Sequence, residues 1–206
     1  NRFFLLMVVV LSGAAYNAAT FTASAILPQM QGAMSATQDE IAWTVTFNIL
    51  ATAICTPMTG WLVGRFGRRR VLLWCLSGFI AGTLMCGFAT SLEEIVLWRV
   101  LQGGAGAPLL PLGQTLLLDA YPRRQHTMVI AAFGMANTIG PVAGPTFGGY
   151  LAEHYSWRWA YFMIVPLSTL ALVGVLAVMP RDADTAKPRL DWIGFISLSA
   201  GIAAAQ

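Results

Sequence analysis

The sequence predicts an all-α, polytopic membrane protein: six transmembrane helices followed by the opening of a seventh. Three observations predict it. Of 206 residues, 57% are hydrophobic and only 10% are charged, against about 25% charged in soluble domains. A water-soluble chain of this size could not hide so much apolar surface. The apolar residues fall into six runs, near 3–28, 40–63, 71–91, 94–118, 127–151 and 159–179, each near the roughly 20 residues a helix needs to cross a bilayer. The runs lack the alternation of barrel strands, and lipid offers no partner to a backbone N–H or C=O, so each is read as a helix.

The first run admits a second reading as a signal peptide, because Arg2, the stretch Phe3–Leu11 and the small triplet Ala23-Ser24-Ala25 stand in that order. Five further runs at regular spacing favour a retained helix. Polar breaks at Gln31–Glu40, Arg65–Arg70, Tyr121–His126 and His154–Trp157 separate the runs. Basic residues mark alternate connections: Arg2; Arg65, Arg68, Arg69 and Arg70; Arg123 and Arg124; Arg181, Lys187 and Arg189. The other connections carry only Arg158, with Asp39, Glu40, Glu93 and Glu94 nearby. The excess of positive charge predicts that the N-terminus faces the cytoplasm. Trp43, Trp61, Trp157 and Trp159 at run ends suit the membrane interfaces.

Residues 1–179 therefore read as one six-helix unit. The polar, proline-flanked stretch 180–190 reads as a cytoplasmic linker. Residues 191–206 open a seventh span that stops short of crossing a bilayer, so the sequence reads as part of a longer chain.

The composition excludes several functions. The single lysine, Lys187, follows Ala186, so no Gly-x-x-x-x-Gly-Lys loop is present to hold nucleotide phosphates. His126 and His154 fall on opposite sides of the predicted membrane, and Cys55, Cys75 and Cys86 lie in apolar runs without metal-ligand spacing. No metal site, cofactor or enzymatic activity is predicted. The basic balance is spent on membrane topology, which leaves no nucleic-acid surface.

Three patterns carry more information. Between spans 2 and 3 the chain reads Gly60-Trp61-Leu62-Val63-Gly64-Arg65-Phe66-Gly67-Arg68-Arg69-Arg70, which as bare chemistry is a basic anchor on a tight turn. In span 4, Arg99 lies about 9 Å beyond Glu93 at 1.5 Å per residue, where a charge is costly unless it snorkels outward or faces a polar interior. Gly103 and Ala107 continue its face and Gln102 lies one turn away, so the expectation is that Arg99 faces the bundle. In span 5, Ala132, Ala136, Gly140, Gly144, Gly148 and Ala152 recur at every fourth residue, a ridge that lets another helix approach closely. Pro141 and Pro145 beside it each remove a helix hydrogen bond and favour a bend.

Taken together, these segments resemble the major facilitator superfamily. The loop between spans 2 and 3 is similar to its Gly-x-Leu-x-x-Arg-x-Gly-Arg-Arg motif; Arg99, Gln102 and Gly103 to its span 4 motif; and Gly140, Pro141, Gly144, Pro145, Gly148 and Gly149 to its span 5 antiporter motif. Pro108–Gln114, Tyr121-Pro122, Trp157-Arg158-Trp159, Phe162 and Val165-Pro166 resemble more narrowly the fourteen-helix, EmrB-type drug:proton antiporters. The resemblance implies the N-terminal six-helix bundle of such a transporter, built as two inverted three-helix repeats in a bacterial inner membrane. It implies export of small amphipathic, often cationic compounds in exchange for protons by alternating access. It also gives Arg99 a part in proton coupling, and Gly60, Arg65, Gly67 and Arg68 a part in cytoplasmic gating. Some members of this branch work with a periplasmic adaptor and an outer-membrane channel. Asn17, Thr20, Asn48 and Gln114, with Asn137, Arg99 and Gln102, become candidates to line the substrate cavity, or alternatively to bond helix to helix.

Two positions depart from the pattern. Ala19 stands where the branch has an aspartate in its first helix, and Gly64 replaces the acid of the loop motif. By this topology no Asp or Glu lies deep in a span. Export of an endogenous siderophore- or lipid-like metabolite, or a non-transporting scaffold or sensor, are the competing readings.

Overall fold

The computed structural model describes residues 2–179 and Gly201. The linker expected at 180–190, and all of the expected seventh-span segment but Gly201, lie outside the described residues. Among residues 2–179 ten α-helices follow in order: α1 (Arg2–Ala25), α2 (Leu27–Met34), α3 (Gln38–Cys55), α4 (Thr59–Phe66), α5 (Arg68–Phe88), α6 (Leu92–Gly106), α7 (Leu109–Ala120), α8 (His126–His154), α9 (Trp157–Phe162) and α10 (Ile164–Val178). They form six stretches long and apolar enough to cross a membrane. Span 1 is α1; span 2 joins α3 and α4; span 3 is α5; span 4 joins α6 and α7; span 5 is α8 with a short lead-in turn; and span 6 joins α9 and α10.

Local chemistry sets the ends. Thr37 caps α3 by accepting from Glu40 N, while the Glu40 carboxylate accepts from Thr37 N at 2.8 Å, so two orphan donors are satisfied reciprocally. Ser91 caps α6 by accepting from Glu94 N, while the Glu94 carboxylate accepts from Thr90 N. Between α4 and α5 the whole turn is Gly67, at φ 88° and ψ 156°. That region is open essentially to glycine alone, so two helices meet through one residue.

The breaks inside spans 2 and 4 fall at prolines, whereas span 6 breaks at Met163. Span 1 ends at Ala25, and after Ile26 the chain restarts as α2 with Pro28 in its first turn. A 3₁₀ turn holding Pro57 divides span 2, and Pro108 precedes α7 in span 4. Proline is tolerated at a helix start, where its missing N–H has no partner to lose. Gln31, expected to open a polar break, is instead helical within α2. The enclosed Met30 anchors that turn in a cluster with Ile26, Ile41 and Tyr161. Pro141 and Pro145 do not break their span: both lie inside one continuous 29-residue helix. The carbonyl of Asn137, which Pro141 cannot bond, is met by Asn17 Nδ2 from the neighbouring helix at 3.5 Å.

The packing carries an internal symmetry. α1 packs on α8, and α3 packs on α6; α1 also meets α10, as α5 meets α6; and α5 meets α10. Exchanging spans 1–3 with spans 4–6 leaves this pattern unchanged. Because three crossings separate each pair of equivalents, the second set runs in the opposite sense, which is the inverted-repeat arrangement. A central core (Val8, Ala15, Leu72, Phe79, Leu109, Ile164) joins spans 1, 3, 4 and 6.

Candidate functional site

The most polar part of the interior is built on α6. Ser91 and the acids Glu93 and Glu94 start that helix, and Arg99 follows seven residues after Leu92, about 10 Å along the axis. Arg99 faces inward and is 0% exposed. Its Nε donates to Thr44 O on span 2 at 3.2 Å, and its Nη1 donates to Gln102 Oε1, three residues further along the same face. Gln102 Nε2 passes the chain on to Thr83 Oγ1 of span 3 at 2.7 Å, and the Thr83 hydroxyl donates to Phe79 O.

The backbone of the same helix is held as closely. Asn48 Nδ2 donates to Arg99 O at 2.8 Å. The Thr52 hydroxyl has Asn48 O at 2.9 Å and Gly103 O at 3.1 Å as acceptors, and Tyr16 OH of span 1 donates to Thr52 Oγ1 at 3.2 Å. A Cβ on Gly103 would collide with Asn48, and one on Gly106 would lie 2.5 Å from the Tyr16 ring. Spans 1, 2, 3 and 4 are thus tied together around one enclosed guanidinium. Two buried polar atoms there, Arg99 Nη2 and Asn48 Oδ1, have no hydrogen-bond partner among the described residues.

The cavity candidates divide into two groups. Asn48, Arg99 and Gln102 are buried between helices inside the bundle. Asn17, Thr20 and Asn137 are half-buried, and Gln114 is exposed. Asn17 Nδ2 donates to Asn137 Oδ1 at 3.1 Å across the α1–α8 seam, while Asn137 Nδ2 donates to Phe133 O and Thr20 Oγ1 to Tyr16 O. The ridge on α8 fits that seam closely. A Cβ on Gly140 would lie 2.8 Å from Ala14 O, and one on Gly144 would lie 2.7 Å from Thr22 Oγ1 and 2.8 Å from Ala18 O. Gly148 abuts the Thr22 side chain, whereas Gly149 faces open space. Ala19, at the position of the expected aspartate, is buried.

The loop motif is placed at one end of the bundle. Arg68 forms an ion pair with Asp119 at the end of span 4. The Arg65 guanidinium lies 5.7 Å from the ring centres of both Trp61 and Phe66, and Phe66 meets Trp74 at 5.1 Å. Arg69 Nη2 donates to Leu176 O, reaching the end of span 6. Gly60 and Gly64 sit within α4, so Gly67 alone makes the turn. The sequence places Asp119 at a helix end as a peripheral acid but does not name Arg68 as its partner. The available signal was an acid at the end of a span on the same side as a run of arginines. At the opposite end Arg158 Nη1 donates to Gly87 O at 3.2 Å. Among the described residues no set of three or more His, Cys, Asp or Glu converges.

Comparison with known proteins agrees with this geometry. The chain is 32% identical over 185 residues to the multidrug export protein EmrB of Escherichia coli K12, covering 89% of this chain and 36% of that one. It is 38% identical over 168 residues to the multidrug resistance protein B homolog of Mycobacterium tuberculosis (81% and 31%), and 30% identical over 188 residues to the fatty acid resistance protein FarB of Neisseria gonorrhoeae (91% and 37%). The chain thus spans about a third of the length of these curated relatives. The xylose transporter XylE of E. coli shares the fold with a TM-score of 0.78 at 16% identity, over 98% of this chain and 54% of that one. A peptide transporter, POT, gives 0.79 at 16%, over 97% and 43%. The profile described as Major Facilitator Superfamily matches residues 6–202, and with the six spans and their inverted pairing this means that the chain belongs to that superfamily of transporters.

Proposed function

We propose that the intact protein is a secondary-active exporter of small amphipathic compounds, often cationic, that exchanges them for protons by alternating access. The likeness to a multidrug export protein along 185 residues is the observation that carries this reading. The packing supports the mechanical part. The α1–α8 and α3–α6 seams are closed against backbone atoms at Gly140, Gly144 and Gly103, so neither can slide freely. The six-helix unit then moves as a block, and rocking takes place against the remainder of the full-length protein. Arg99 is the residue of this unit proposed for proton coupling, and the Arg68–Asp119 pair is proposed as part of the cytoplasmic gate, with Asp119 supplying a carboxylate that position 64 lacks.

In this reading the protein is a multi-pass component of a bacterial inner membrane with its N-terminus in the cytoplasm, which places the arginine-rich end at the anionic leaflet. A periplasmic adaptor and an outer-membrane channel are further proposed partners, to be sought by co-purification. The test is efflux of a cationic dye from proteoliposomes containing the full-length protein, with and without an imposed proton gradient. Gradient-driven efflux that is lost in a folded Arg99→Ala variant supports the proposal. Efflux indifferent to the gradient removes proton antiport, and no movement of any dye removes multidrug export.

A further inference from the structure

The connection between spans 5 and 6 repeats the loop between spans 2 and 3. Gly60-Trp61-Leu62 recurs 89 residues later as Gly149-Tyr150-Leu151, and at the same offset Arg65, Gly67 and Arg69 become His154, Ser156 and Arg158. The contacts recur with the residues. The Arg65 guanidinium lies over the Trp61 ring, and His154 stacks on Tyr150 with ring centres 4.2 Å apart. Gly67 stands before the first turn of α5, and Ser156 caps α9 by accepting from Arg158 N. Arg69 Nη2 donates to Leu176 O at 3.2 Å, and Arg158 Nη1 donates to Gly87 O at 3.2 Å. Leu176 is itself 89 residues beyond Gly87. Each arginine thus meets a carbonyl at the C-terminal end of the other repeat's last helix, where a helix leaves its own acceptors unpaired. Three crossings separate the two connections, so the copies lie at opposite ends of the bundle.

The copies differ in one charge: where the first has Gly64, the second has Glu153. Glu153 is exposed and lies in the last turn of α8, the negative end of a helix, which disfavours an anion. Among the described residues it enters no ion pair. Tyr150 and Tyr155 beside it are 56% and 73% exposed. We propose that residues 149–159 are a second gating loop, at the face opposite the Arg68–Asp119 pair, and that the Glu153 carboxylate latches onto a basic side chain of the remainder of the full-length protein when that face closes. The segment covers 36% of the length of the E. coli relative, which leaves a larger part to supply that partner. The arginine bonds to Gly87 and Leu176 hold the two loops in equivalent positions, and Glu153 gives the second loop a charge with which to dock. This inference rests on the transporter reading above and adds to it the element that closes the other face.

The experiment uses the full-length protein in proteoliposomes, with Tyr155→Cys as the labelling position for a membrane-impermeant maleimide and the unsubstituted chain as the blank. Labelling is expected to be several-fold faster when Glu153→Gln is added, because the latch no longer covers the loop, and Glu153→Asp should restore slow labelling. Without the labelling substitution, Glu153→Gln should lower the maximal rate of dye efflux several-fold at an unchanged unfolding midpoint. Equal labelling with Glu or Gln at position 153, the behaviour of a solvated acid among interfacial aromatic residues, overturns the proposal. An unchanged efflux rate in Glu153→Gln, while the wild type transports, overturns it as well. Labelling is read without transport, so a protein that moves no dye removes the export reading and leaves the latch to be decided by labelling alone.

Discussion

Asn48 and Asn137 are counterparts in the two halves of the bundle: each places its amide side chain against a glycine of the partner helix, Asn48 against Gly103 and Asn137 against Gly13. Asn137 follows Asn48 by 89 residues and Gly103 follows Gly13 by 90, so the pairing is the repeat itself seen at one side chain. The environments differ. Asn48 is buried and bonds to Arg99 O across the seam, whereas Asn137 is half-buried and accepts from Asn17. Replacing Asn48 by Ala should therefore destabilise by about 1–2 kcal/mol and replacing Asn137 by about 0.6 kcal/mol, within the range for polar contacts between membrane helices. Unfolding of the two variants in detergent under the same conditions measures the difference, and equal losses would argue against the asymmetry.

The α8 ridge distinguishes glycines that matter for packing from one that does not. Gly144→Ala places a methyl group within 2.8 Å of the Ala18 carbonyl oxygen, a backbone atom that cannot swing aside, so a loss of about 1–3 kcal/mol is expected. Gly149→Ala meets nothing within 4 Å and should be neutral, or up to about 1 kcal/mol stabilising, from helix propensity alone. Thermal midpoints of both variants, read beside transport by the full-length protein, check the contrast. A Gly149 variant as damaged as the Gly144 variant would contradict it.

The single-residue turn at Gly67 gives a sharper comparison within the loop motif. Gly67→Ala forces a side chain into a region reserved for glycine and should cost about 1–3 kcal/mol. Gly60→Ala, inside α4 with open space around it, should not destabilise. Expression level and unfolding midpoint of the two variants separate turn geometry from mere membership of the motif.

The Arg68–Asp119 pair is more than one-third exposed at both ends, so it contributes little to stability, of order 0–1 kcal/mol and less in salt. A gating role predicts a different signature. Arg68→Asp and Asp119→Arg should each reduce transport with little change in midpoint, and the double reversal should restore much of the activity. Initial rates of efflux in the four proteins test this, and a double variant no better than either single one would remove the pair from the gate.

Under the proposed alternating access, residues 1–206 alone should enter membranes but not transport, because that mechanism needs a second body to rock against. Dye flux from proteoliposomes made with this segment checks the expectation.

Much of this molecule was legible in the chain. Six apolar runs of bilayer length, separated by polar breaks, determine six helices, because lipid leaves a backbone no other way to satisfy its hydrogen bonds. The inward face of Arg99 followed from Gly103 and Ala107 on the same stripe, and the ridge of Gly140, Gly144 and Gly148 announced a close helix neighbour. These are signals of helical period within one segment. Only the tertiary structure decided that the neighbour is α1, that the Arg99 guanidinium rests on a carbonyl of Thr44 fifty-five residues earlier, and that Asp119 answers Arg68. It also decided that Pro57 and Pro108 break their spans while Pro141 and Pro145 do not, and that Asn48 and Gln102 are sealed inside while Gln114 is not. Periodicity reports which side of a helix is buried. It is silent on what that side meets, because the partners lie tens of residues away and are chosen by the packing of all six helices at once.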